Sequence, residues 1–138
     1  MIAYLDTSAP LRLVLRERGA LENLLAAEGL VSSELLAVES LRTIDRLRLQ
    51  GVLSAAEAAS RRATTTQWLE SVDLVLLQWP VLARASEPFP TPLGTLDALH
   101  LATALVWRER MRQPLVVATH DRDLALAARS FGIEVLGS

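Results

Sequence analysis

Four acidic residues stand at places in the sequence where carboxylates are uncommon. Asp6 directly follows a short apolar run near the start of the chain, and Asp121 comes soon after another such run. Glu39 and Asp97 each lie within a largely apolar segment that has the pattern of a helix. A carboxylate is seldom placed in apolar surroundings unless it is paired or holds a metal ion. We therefore take these four side chains as candidate functional residues.

A cluster of these carboxylates would favour metal-dependent hydrolysis. The chain contains no Lys, and three or four acids brought together would have raised pKa values unless cations neutralised them. Ligation by oxygen alone favours Mg²⁺ or Mn²⁺ over zinc. Such ions lower the pKa of a bound water and hold a phosphate for in-line attack. Hydrolysis of a phosphodiester is the chemistry that fits this set.

Each acid could also have a purely structural role. Glu39 could form a surface ion pair with Arg42, three residues further along a helix. Each of the three aspartates could cap a helix, or could lie in its first turn, where the helix dipole stabilises a negative charge. If all four acids had only these structural roles, their convergence on one pocket would be a coincidence.

The elements that must position these residues alternate between strand and helix. Predicted strands cover residues 2–5, 30–31, 73–78, 115–118 and 133–136. Predicted helices begin near Pro10, Ser32 or Ser33, Ser54, Pro80, Thr95 and Asp121. The alternation predicts an α/β fold with a parallel sheet of about five strands, covered by helices on both faces. We expect one domain over residues 1–138, which is an ordinary size for a single domain.

Ligands of such sheets bind beyond the carboxyl ends of the strands. Asp6 follows the first predicted strand, and residues 119–123 follow the fourth. We therefore expect these two places to meet in the folded chain.

Composition limits the other classes of protein. The chain has no Cys, which excludes disulfides, thiolate nucleophiles and zinc sites with Cys ligands. It has no long apolar segment and no basic apolar leader, so we expect a soluble cytoplasmic protein that does not enter a membrane. Its net charge of −2 gives no general attraction to nucleic acid. The candidate phosphate-binding patches are local groups of arginines: Arg12, Arg16 and Arg18, and Arg108, Arg110 and Arg112.

Several segments together resemble the PIN-domain ribonucleases, and most of all the VapC-type toxins of bacterial toxin–antitoxin pairs. They are YLDTSA around Asp6, SSELLAVESLR around Glu39, DALHLATA from Asp97 onward, and VATHDRDL around Asp121. The set occurs in order over essentially the whole chain. The DALHLATA segment is the most specific single motif.

This resemblance implies a function and a site. It implies an RNA endonuclease that is the toxin of a type II toxin–antitoxin pair, forms a homodimer and is neutralised by a cognate antitoxin. It implies Mg²⁺ or Mn²⁺ held by Asp6, Glu39, Asp97 and a fourth acid. For the fourth acid we favour Asp121, which is nearest the strand end, with Asp123 as the alternative. Ser8 and Thr119 match two positions at which the family has small hydroxyl side chains. These hydroxyls could hold metal-bound water or phosphate, or they could cap turns.

Other protein classes fit the sequence less well. A dehalogenase-like phosphatase needs a second Asp where Ser8 stands, and both this class and response-regulator receivers need a Lys. The main alternative is a PIN-like module that binds RNA or a protein without cutting. We expect His100 to be a core or supporting residue. The tryptophans are expected to pack in the core or in a dimer: Trp68, Trp79 and Trp107.

Overall fold

A computed structural model describes residues 1–16, 19 and 21–137 of the chain. Five parallel strands form one sheet in the order β3-β2-β1-β4-β5. Their bounds are β1 Ile2–Leu5, β2 Gly29–Ser33, β3 Asp73–Val75, β4 Val116–Ala118 and β5 Glu134–Leu136. The predicted α/β class with a five-stranded parallel sheet is confirmed.

The helices lie between the strands along the chain, as expected for parallel connections. Their bounds are α1 Ser8–Val14, α2 Leu35–Leu49, α3 Ala55–Leu69, α4 Trp79–Ala85, α5 Thr95–Met111 and α6 Arg122–Ser130. A short 3₁₀ helix, Glu22–Ala26, precedes β2. No helix in the described ranges is both long enough and apolar enough to span a membrane.

The central strand β1 is buried on both faces, and its side chains alternate between two cores. Tyr4 packs into a cluster with Leu101 and Leu105 of α5 and with residues of α6. Ala3 and Leu5, on the opposite face, belong to a second cluster that includes Ala9 of α1. This alternation follows from the two-residue period of a strand. It fixes Asp6, the next residue after β1, at the carboxyl edge of the middle of the sheet.

Most differences from the predicted elements occur at element ends. The third strand ends at Val75 rather than Gln78, and β2 begins at Gly29 and extends through Ser33. The long helix after β2 consequently begins at Leu35, with Glu34 at the N-cap position, and the Ser33 hydroxyl accepts from the Leu35 NH at 3.1 Å. Strand β2 lengthens because it pairs with β1 on one side and with β3 on the other.

Two capping and packing predictions have opposite outcomes. Ser54 caps α3 through a full capping box, in which Ser54 and Glu57 exchange hydrogen bonds with each other's backbone NH groups. Trp79, however, is 73% exposed at the start of α4, so it does not pack in the core, and its packing in a dimer stays a prediction.

Candidate active site

Asp6 stands at the centre of the carboxyl edge of the sheet. Its backbone NH donates to the Ala118 carbonyl oxygen at 3.1 Å, which extends the β1–β4 pairing by one residue. The residue is only 6% exposed. Oδ2 accepts two hydrogen bonds of 2.7 Å, one from the Ser8 hydroxyl and one from the Thr119 hydroxyl. One oxygen of the carboxylate is therefore held firmly by two hydroxyl groups.

The same hydroxyls tie the turn after β4 to the turn after β1. Ser8 Oγ accepts from the His120 backbone NH at 2.9 Å. Thr119 Oγ1 accepts from the Asp121 backbone NH, also at 2.9 Å. The strand-end argument thus correctly places these two turns together. In the structure Ser8 and Thr119 position Asp6 and shape the turn.

Glu39 reaches the site from the second turn of α2. Its Oε1 accepts a 2.9 Å hydrogen bond from the Thr7 hydroxyl and lies 2.7 Å from His100 Nε2. On the other side of the ring, His100 Nδ1 lies 2.8 Å from the Tyr4 hydroxyl. His100 is 1% exposed, and its Nε2 is 3.8 Å from Asp6 Oδ1. A buried Tyr4–His100–Glu39 chain therefore connects the core to the acidic site.

The pKa of Glu39 is lowered from its ordinary value. Burial acts to raise this pKa, but the hydrogen bond and charge of His100 and the Thr7 hydroxyl together outweigh it. The pKa of the Tyr4 hydroxyl is raised, chiefly by burial, so that group stays protonated. Glu39 is accordingly an anion held by two donors, which leaves its geometry well defined.

Asp97 lies in the first turn of α5 and is half-buried. Burial, followed by the negative charges of Asp121 and Asp6, raises its pKa to about 6. Glu39 acts in the same direction, and His100 opposes it. The charges of the three other candidate acids therefore all act on Asp97.

The two candidates for the fourth acid have different environments. Asp121 is half-buried, caps α6 by accepting from the Leu124 NH at 2.9 Å, and contributes to the raised pKa of Asp97. Asp123 is exposed in the first turn of α6. Asp121 therefore caps α6, and its negative charge also acts on Asp97.

The surface ion pair considered for Glu39 is absent. Arg42 instead lies 3.2 Å from Asp45, which also binds Arg48 at 3.0 Å. Glu39 instead contacts His100 and Thr7. The assignment of Glu39 to a helix-surface pair is therefore wrong.

The donor chemistry of the cluster suits a hard divalent cation. Carboxylate oxygens are the ligands that Mg²⁺ and Mn²⁺ prefer. The pKa of Asp97 is raised by burial and then by neighbouring negative charges, which a cation would neutralise. Among the described residues, no three His, Asp or Glu side chains already form a group that could hold an ion. The residues therefore suit a divalent cation by the chemistry of their oxygens.

Some residues of the site were not found from the sequence. No sequence pattern singles out Thr7 or Tyr4, yet both make hydrogen bonds to the Glu39–His100 pair. The expectation that His100 is a buried supporting residue agrees with its contacts. No local pattern could reveal the pairing itself, because His100 and Glu39 are 61 positions apart in the chain.

The arginine patches are arranged differently from the expectation. Arg108 donates to the Phe131 carbonyl oxygen at 3.0 Å, and Arg110 and Arg112 are exposed at the C-terminal end of α5. Arg12 lines a groove with Arg122 and Arg129 of α6 instead. Arg18 lies outside the described residues.

Comparisons with known proteins agree with this architecture. A family model described as PIN domain matches residues 3–130. Ribonuclease VapC46 of Mycobacterium tuberculosis (strain ATCC 25618 / H37Rv) is 35% identical over 137 residues, covering 96% of this chain and 95% of the relative. The family match runs from within β1 to the end of α6, so it includes all the elements that carry the four acids.

Proposed function

Because the chain belongs to the PIN domain family, we propose that it is a metal-dependent endoribonuclease, the toxin of a type II toxin–antitoxin pair. The predicted resemblance to VapC-type proteins is confirmed by the 35% identity to a VapC ribonuclease. One observation supports this activity: Asp6 and Asp121 follow neighbouring strands at the edge of the sheet where ligands bind, and their charges, after burial, help to raise the pKa of Asp97.

The proposed metal ligands are Asp6, Glu39, Asp97 and Asp121, with Mg²⁺ or Mn²⁺ as the ion. When bound, the metal would lower the pKa of a water and neutralise the charge of the scissile phosphate. Asp121 is preferred over Asp123 because its charge reaches Asp97 and because Asp123 is exposed.

The surrounding side chains would orient the ligands. Ser8 and Thr119 hold Oδ2 of Asp6 and thereby fix the plane of that carboxylate. His100 and Thr7 hold Oε1 of Glu39. Preorganised ligands of this kind need little rearrangement when the reaction begins, which is how hydrogen bonds around a ligand increase the activity of a site.

Cleavage of RNA by the purified chain, free of antitoxin, tests the proposal. We expect cleavage with Mg²⁺ or Mn²⁺, its loss with a chelator, and a decrease of at least about a hundredfold in Asp97→Asn, the typical effect of losing a strong transition-state interaction. Asp73→Asn is the matched control, because Asp73 is exposed at the start of β3, at the opposite edge of the sheet. Undiminished cleavage by Asp97→Asn would contradict the proposed metal site.

The partners belong to the same proposal. We propose that the chain binds a cognate antitoxin, cuts an RNA substrate and forms a homodimer. The similarity to a VapC ribonuclease supports the first two. The homodimer and a cytoplasmic location stay predictions. A PIN-like module that only binds RNA would retain binding but show no metal-dependent cleavage in the experiment above.

A further inference from the structure

A basic groove lies beside the acidic site. Its volume is about 670 Å³, and its basic lining residues are Arg12, His120, Arg122 and Arg129. Arg12 comes from α1, His120 from the turn after β4, and the other two arginines from α6. In the part of the chain that the structure describes, four basic side chains from three separate elements therefore converge, in a protein whose net charge is −2.

Two of these arginines form a row along α6. Arg122 and Arg129 are both exposed and are seven residues, or two helical turns, apart. They therefore lie on one face of the helix, about 10 Å apart along its axis. Between them Leu126 is 55% exposed and also lines the groove. The groove thus offers separated cations along an extended path.

The groove and the acidic cluster share one turn of the chain. His120 and Arg122 flank Asp121 in the sequence, and the His120 NH binds Ser8 Oγ, which also binds Asp6. A polyanion with one phosphate at the acids would therefore continue directly over the basic residues. A guanidinium also binds phosphate with two parallel hydrogen bonds, which suits this position.

We propose that this groove binds the phosphates of single-stranded RNA next to the phosphate that is cut. The inference rests on the proposed ribonuclease function and adds to it the place where the substrate backbone lies. No Phe, Tyr or Trp is among the described residues that line the groove, so these usual stacking platforms for bases do not contribute. The groove therefore supplies affinity that does not depend on base sequence, and it offsets the repulsion between a phosphate and the acidic cluster.

The first experiment measures binding without cleavage. A fluorescent single-stranded oligoribonucleotide of mixed sequence is titrated with protein in EDTA at several salt concentrations. In Arg122→Gln/Arg129→Gln we expect about tenfold weaker binding at about 0.1 M salt, and the slope of log K against log salt should fall in magnitude by about 1.4, because each phosphate contact on a single strand contributes about 0.7.

The matched control removes the same charge elsewhere. Arg110→Gln/Arg112→Gln changes two exposed arginines at the far end of α5, the rival patch suggested by the sequence. We expect this variant to bind RNA nearly as the parent chain does. Equal losses in both double variants, or an unchanged salt slope in the α6 variant, would overturn the proposed groove. Circular dichroism melting of each variant ensures that only folded protein is compared.

Two further outcomes test the occupant of the groove and its connection to catalysis. If a polyglutamate peptide of equal charge competes for the groove more strongly than the oligoribonucleotide, the proposed occupant is wrong. If the parent chain binds RNA through Arg122 and Arg129 but never cleaves it with Mg²⁺ or Mn²⁺, the proposed enzymatic function fails while the groove is supported. If the parent chain cleaves RNA with Mg²⁺ or Mn²⁺ but the α6 variant binds RNA normally, the enzymatic function is supported and the proposed groove is wrong.

Discussion

At the scale of single residues, the site depends on how two oxygens are held. Oδ2 of Asp6 and Oε1 of Glu39 each receive two short contacts from neighbouring side chains. Hydrogen bonds to an ionised carboxylate stabilise the charged form and fix its direction. Asp97 differs, because burial and like charges make its ionised form costly. Glu39 and Asp97 therefore contribute unequally to the stability of the metal-free protein.

The raised pKa of Asp97 predicts a pH-dependent cost. Between about pH 4 and pH 6 the folded chain binds more protons at Asp97 than the unfolded chain does, so this residue lowers stability as pH rises through that window. In EDTA, Asp97→Asn should therefore become more stable relative to the parent chain between about pH 4.5 and about pH 7.5. Urea unfolding midpoints at the two pH values measure this change, and a relative stability that stays constant or reverses would contradict the prediction.

The sequence predicted some contacts of the site and could not predict others. Asp6 and Asp121 were placed together because both follow strands, and the carboxyl ends of parallel strands meet at one edge. The partner of Glu39 could not be predicted in this way, because His100 and Glu39 lie on different helices, so their contact depends on how those helices pack. The same limit applies to the groove: Arg12 meets Arg122 only after α1 and α6 are positioned.

At the scale of elements, local chemistry determines where α3 begins. Ser54 accepts from the Glu57 NH at 3.0 Å, and the Glu57 carboxylate accepts from the Ser54 NH at the same distance. This reciprocal arrangement satisfies two NH groups that a helix start otherwise leaves without partners. Here the sequence was sufficient, because the residues that decide the boundary are three positions apart.

Loss of this cap should weaken the fold measurably. We expect Ser54→Ala to lower the free energy of unfolding by about 1 kcal/mol, the usual effect of removing an N-cap hydroxyl. Ser60→Ala is the control, since Ser60 is exposed inside the same helix, where Ala is at least as favourable. Chemical denaturation compares the two variants, and equal stabilities would show that the cap contributes nothing here.

Element ends set by tertiary pairing were predicted less well. Strand β3 is only three residues long, although its apolar pattern continues to Leu77. Beyond Val75 the chain turns away, and the Leu77 NH donates to the Glu34 carboxylate at 2.7 Å. That contact joins residues 43 positions apart, so no local pattern could indicate where the strand stops.

At the scale of the whole molecule, the proposed metal site should couple cation binding to the stability of the fold. A ligand that binds only the folded chain stabilises it in proportion to the logarithm of its concentration. At a Mn²⁺ concentration about a hundredfold above Kd, the gain is about 2.7 kcal/mol, and we expect Tm to rise by roughly 5–10 °C. Differential scanning calorimetry of the parent chain, with and without Mn²⁺, measures this rise.

Two variants show whether the rise comes from the proposed site. Asp97→Asn should lose most of it, because one of the four ligands becomes neutral. Asp73→Asn, at the opposite edge of the sheet, should keep it. A rise of equal size in both variants would indicate that Mn²⁺ binds elsewhere on the protein.

The hydrogen bond from Thr119 to Asp6 has a consequence during synthesis of the chain. It joins residues 113 positions apart, and Asp121 reaches Asp97 through the same late segment. The ribosome therefore adds Asp6 and Glu39 to the chain long before it adds Thr119 and Asp121. Strand β1 also cannot pair with β4, its neighbour in the sheet, until β4 has been synthesised. The nascent chain thus cannot form the complete acidic site until the segment after β4 has been synthesised.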